Sequence, residues 1–152
     1  MYQMTQDDID EVADIIEKAA LLPLDDATFA LWRQMSRLDR LEGRPTDEQV
    51  QMYRAMTQEQ WHERYRDERE HAYEGPMFGY LKGSHPRANE TDIKLAIIGA
   101  VRFDDDCSKY FKWNGDFWEC IVRAVAQAQA RHPGYLDATY RDARNHLAYL
   151  MK

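Results

Sequence analysis

Apolar residues in this chain recur at intervals of three and four. No stretch alternates apolar with polar residues as a half-buried strand would. That spacing gives each successive segment one apolar stripe, which is buried by packing helix on helix. The expected fold is all-α, a bundle of six or seven helices. It is read as a single helical domain over residues 1–152, with two sub-bundles joined by the 75–90 loop as the alternative. A chain of 152 residues buries roughly 68–70% of the surface it exposes when unfolded, so it needs no metal or disulfide to hold a core.

Capping residues and breakers divide the chain. Thr5 opens the first helix, in which Ile9, Val12, Ala13, Ile16, Ala19 and Ala20 share a face, and Pro23 stops it. Asp25 or Asp26 is expected to cap a second helix running to about Glu42, with Leu31, Met35 and Leu38 inward. Thr46 with Gln49 and Thr57 with Gln60 read as capping boxes, so a third helix breaks near Thr57 and restarts toward Glu74. Residues 75–90 hold Gly75, Pro76, Gly79, Gly83 and Pro86, a density of breakers that predicts a loop. Thr91 then opens a helix through Phe103, and Asp104, Asp105 or Asp106 caps a short segment reaching Phe111. Asp116 caps the next helix, with Phe117, Ile121, Ala124, Val125 and Ala128 inward. Asp137 caps the last, with Tyr140, Ala143, Leu147 and Leu150 inward.

Charge is distributed unevenly over this frame. The first thirty residues hold eight acids and one base, which equals the whole chain's net charge of −7. Residues 31–75 carry −2 and residues 76–152 carry +2. Asp7, Asp10, Glu11, Asp14 and Glu17 fall opposite the apolar stripe of the first helix. A one-sign face of this kind attracts basic surfaces and repels anions. Met77, Phe78 and Tyr80 in the expected loop are candidate apolar anchors beside it. Together, Asp7, Asp10, Asp14, Glu17, Met77, Phe78 and Tyr80 are the candidate partner-binding residues.

A second charged feature is a row of arginines, Arg33, Arg37, Arg40 and Arg44, spaced by four, three and four. It could grip phosphates, with Phe29 and Trp32 near enough to stack on bases. The acidity of the whole chain argues against nucleic acid as the partner. Acids of the first helix could instead neutralise this row across the short 22–24 connection.

Metal chemistry is the third candidate. Glu59-x-x-His62 and Glu68-x-x-His71 resemble half-sites of a carboxylate di-iron centre. Nine residues of helix, however, put them about 13 Å apart and on opposite sides. Glu63, Asp67, Glu70 and Asp104 form an acidic set that could hold magnesium in an all-α nucleotide hydrolase, because hard cations take carboxylate oxygens. Nucleophilic chemistry has little support: Cys120 lies in an apolar stripe, and Cys107 follows three acids that would raise its pKa. Gly75, Gly79 and Gly83 precede no strand and form no phosphate loop.

Apolar runs are short, as at Leu95–Ile98, against the ~20 residues of a membrane span. The acidic N-terminus is the reverse of a signal peptide, so a cytoplasmic location with free thiols is expected. The sequence implies no cofactor. It points to a non-enzymatic helical protein-binding module, an adaptor or inhibitor. Its partner would be a protein with a basic surface, for instance one that handles nucleic acid. The alternatives are the metal-dependent hydrolase and the arginine-row nucleic-acid binder.

Overall fold

The computed structural model describes residues 5–34, 47–60, 63 and 76–152. Among these the fold is all-α, with seven helices: α1 (Gln6–Ala19), α2 (Leu24–Trp32), α3 (Asp47–Ala55), α4 (Pro76–Ser84), α5 (Glu90–Tyr110), α6 (Phe117–Arg131) and α7 (Asp137–Met151). α5 is the central element and packs against α2, α4, α6 and α7. α2 lies beside it and also meets α1, α4 and α7. One core draws Val12 and Ala19 from α1, Phe29 and Leu31 from α2, Met77 and Leu81 from α4, and the inner faces of α5, α6 and α7. α1 and α2, before residues 75–90, share that core with α4 to α7.

Segment 76–84 corrects the expected loop: it is helix α4. Pro76 occupies the first helical position, where its missing N–H costs nothing. Gly79 and Gly83 lie on the outer side with nothing within 4 Å of an added Cβ. Each costs roughly 1 kcal/mol of helix propensity. Met77 and Leu81, four residues apart, are both fully buried, and a side chain of that size gains about 1.5–3 kcal/mol on burial. Packing therefore outweighs propensity. His85 fixes the end of α4, with Nε2 2.7 Å from the Leu22 carbonyl and Nδ1 2.7 Å from the Ser84 hydroxyl.

α5 is a single 21-residue helix that does not end at Phe103. Its cap is Asn89 rather than Thr91: the Asp92 N–H donates to Asn89 Oδ1 at 2.8 Å, and the Asn89 N–H donates to Asp92 Oδ2 at 3.4 Å. The acids at 104 and 106 do not break it. Their side chains bond to neighbouring elements instead of competing for their own backbone.

Elsewhere the capping pattern holds. Asp116 accepts from the Glu119 N–H at 2.8 Å and starts α6, whose buried residues include Ile121, Ala124, Val125 and Ala128. Thr57 and Gln60 exchange both capping-box bonds, at 3.1 and 3.2 Å, just after α3 ends. Gly115, at φ +87°, makes the turn before α6. The Cys120 thiol staples that turn by donating to the Asn114 carbonyl at 3.3 Å.

α2 and α7 depart from the expected caps in a connected way. Asp26 is almost completely buried within the first turn of α2, and Pro23 is the cap residue there. Its Oδ1 accepts from the Leu136 N–H at 2.8 Å and from the Thr139 hydroxyl at 2.5 Å. Asp26 thus serves the N-terminus of α7, across 110 residues of sequence. Asp137, the expected cap, is the first residue of that helix, and Leu136 precedes it. Leu150, expected inward, is exposed.

Candidate interaction surface

The apolar stripe of α1 is Val12, Ile15, Ile16 and Ala19, packed onto α2. Ala13 and Ile9 are exposed, so the stripe is narrower than the sequence pattern suggests. Opposite it, Asp7, Asp10, Asp14 and Glu17 are all exposed. At ~100° per residue these four fall within a sector of about 80° and span roughly 15 Å along the axis. Among the described residues their hydrogen-bond and ion-pair partners belong to α1 itself. Gln6 donates to Asp10 at 2.9 Å, and Lys18 meets Asp14 at 2.9 Å, an ion pair open to water. Such a pair contributes little to stability.

Of the arginine row only Arg33 lies among the described residues; Arg37, Arg40 and Arg44 lie outside them. Arg33 does not neutralise α1. Its guanidinium meets Asp142 of α7 at 3.5 Å, and its Nε is buried without a partner among the described residues. Asp14 and Arg33 both line a hollow of about 380 Å³ between α1, α2 and α7, without an ion pair between them. Trp32 and Phe29, considered as stacking platforms, are core residues. The Trp32 indole N–H donates to Asp104 at 2.9 Å.

The apolar anchors fare differently from the acids. Met77 is fully buried and is not a contact surface. Phe78 and Tyr80 are half-buried against the core. The cause is the formation of α4, which turns these residues inward.

Of the acidic set read as magnesium ligands, Asp67 and Glu70 lie outside the described residues, as do His62, Glu68 and His71. Glu63 is exposed. Asp104 is committed within the fold: besides Trp32 it faces His146 Nε2 at 3.5 Å. Burial pushes the Asp104 carboxyl above its ordinary value and the His146 imidazole below. Among the described residues, no group of three or more His, Cys, Asp and Glu side chains is placed to hold a metal ion.

Both described cysteines are free thiols and buried. Burial drives the Cys107 thiol well above its usual range, and Asp104 and Asp106 push it further in the same direction. A thiol held protonated is a poor nucleophile.

Reading the sequence alone missed a series of polar ties between helices. His132 bonds Asp106 through Nε2 at 2.7 Å. Tyr140 donates to the His132 carbonyl at 2.7 Å and accepts the Tyr135 N–H at 3.3 Å. Phe103 sits among Phe29, His132, Tyr135 and Tyr140, with ring centroids 5.1 to 5.7 Å away. The available signal was the pair of alternate acids, Asp104 and Asp106, in a chain with histidines at 132 and 146.

No described helix is long and apolar enough to cross a membrane. No protein-family model, curated protein or solved structure matches this chain.

Proposed function

We propose that this protein is a non-enzymatic helical adaptor or inhibitor that engages a partner with a basic surface through the outer face of α1. The observation that supports this reading is the exposed row Asp7, Asp10, Asp14 and Glu17, whose partners among the described residues are Gln6 and Lys18 of the same helix, while Arg33 meets Asp142 instead. Carboxylates three to four residues apart on a helix present a line of negative charge. A protein that ordinarily grips phosphates is the natural partner class. The commitment of Asp104 to Trp32 and His146 supports binding over metal-dependent hydrolysis. A cytoplasmic location fits the free thiols.

The test replaces all four acids with lysine and compares the variant with the wild type as bait in a lysate. The expected result is a wild-type partner with a basic surface, released as salt rises and lost from the variant. Capture that survives the four reversals, or does not change with salt, would overturn the proposal.

A further inference from the structure

α6 is apolar on two sides, and the core takes one of them. Ile121, Ala124, Val125 and Ala128 are buried. On the outer side Trp118, Val122 and Ala126 follow one another at intervals of four. All three are exposed, Trp118 at 46% and Val122 at 39%. A second indole, Trp113, is 64% exposed at the same end of the helix, its ring centroid 4.7 Å from that of Phe117. Monomeric proteins rarely expose contiguous apolar rows, and tryptophan is among the residues most enriched at the energetic centres of interfaces.

The order of the row says what fits it. Side chains shrink from Trp118 to Val122 to Ala126, so the row complements a copy of itself running the other way. A two-fold axis at Val122 sets Trp118 against Ala126 of the second copy and Val122 against its own counterpart. Rows of residues four apart are the ridges that interdigitate when helices pack, and a two-fold contact uses the same patch on both molecules. Charge fits the same register. Glu119 and Arg123 form the adjacent row, both exposed, with no side-chain hydrogen bond or ion pair among the described residues. In the antiparallel pair Glu119 lies two residues, or about 3 Å along the axis, from Arg123 of the second copy, and this happens twice per dimer.

We propose that the outer face of α6 is a homodimer interface. Two copies of the chain pair antiparallel through Trp118, Val122 and Ala126, with Glu119 and Arg123 joined across the rim. The contact does not involve α1. A patch one helix wide is small beside the about 800 Å² per partner of a standard interface, so the dimer is reversible and forms at high concentration.

Sedimentation equilibrium of the full chain, from micromolar to millimolar concentration, is the test. The wild type is expected to pass from the mass of one chain to that of two. Trp118→Ala should weaken self-association at least roughly tenfold, because a central anchor is lost. Glu119→Arg should weaken it roughly fivefold at low salt, and Glu119→Arg combined with Arg123→Glu should restore it, because the rim charges are then exchanged rather than opposed. All three positions are exposed, and helical circular dichroism confirms that each variant is folded. A dimer indifferent to Trp118→Ala, or a charge-exchanged variant as weak as Glu119→Arg alone, would overturn the proposal. So would a chain that stays monomeric at millimolar concentration, which would leave the row to a different partner.

Discussion

Asp26 illustrates how far a residue's role can lie from its sequence neighbours. Placed before an apolar stripe, it reads as a cap for its own helix, yet its carboxylate serves Leu136 and Thr139 at the start of α7. Spacing identifies a capping residue type but does not reveal which helix end it reaches. Asp26→Ala leaves the Leu136 N–H and the buried Thr139 hydroxyl without this acceptor. It should cost about 1.5–3 kcal/mol, read from urea unfolding. Asp104 was open to misreading in the same way: an acid in a run of three suggests a cap or a metal ligand, and its partners Trp32 and His146 lie far off in sequence. Their burial has a pH signature. His146 protonates less readily in the folded chain than in the unfolded one. Stability should therefore fall as pH drops below the unfolded value near 6.5. Asp104 is shifted the opposite way, so its contribution rises as pH falls toward 3.8 and opposes the loss at the acid end. Urea midpoints at mildly acidic and neutral pH should differ in the wild type and differ less in His146→Gln. An equal loss in both would remove His146 as the cause.

At the level of elements, periodicity found the helices that carry long stripes, and composition misled where a short one is held by packing. α6 was legible because its cap, Asp116, and its inward residues all agree with one helical register. α4 was not, because two glycines and a proline outweigh five or six ordinary residues on any local scale. What decides the matter is the burial of Met77 and Leu81, which a local window cannot see. The two readings are separable. In a loop, Gly79→Ala has no consistent benefit. In an exposed helical position with open space, it should stabilise the fold by roughly 0.5–1 kcal/mol. The measurement is the thermal or urea midpoint of the single variant, and a destabilisation would contradict the helix. α5 carries the complementary lesson: three consecutive acids do not end a helix when adjacent elements supply partners for them.

Across the whole molecule, the core and the charge asymmetry were both readable in the sequence. The all-α architecture follows from the stripes, and the acidic outer face of α1 follows from residues placed opposite one of them. How the faces would meet was not readable, because side-chain pairing depends on how helices are rotated against one another. Arg33 turns to Asp142 on α7, and among the described residues Asp7, Asp10, Asp14 and Glu17 are left to solvent and to neighbours within their own helix. α1 is therefore stabilised through one stripe against α2 while its opposite side stays available. Amide hydrogen exchange of the wild-type protein, alone and with the captured basic partner, tests this most directly. Complex formation should slow exchange across Gln6–Ala19 and leave α5 and α6 unchanged. Slowing confined to other helices, with α1 exchanging as in the free protein, would contradict it.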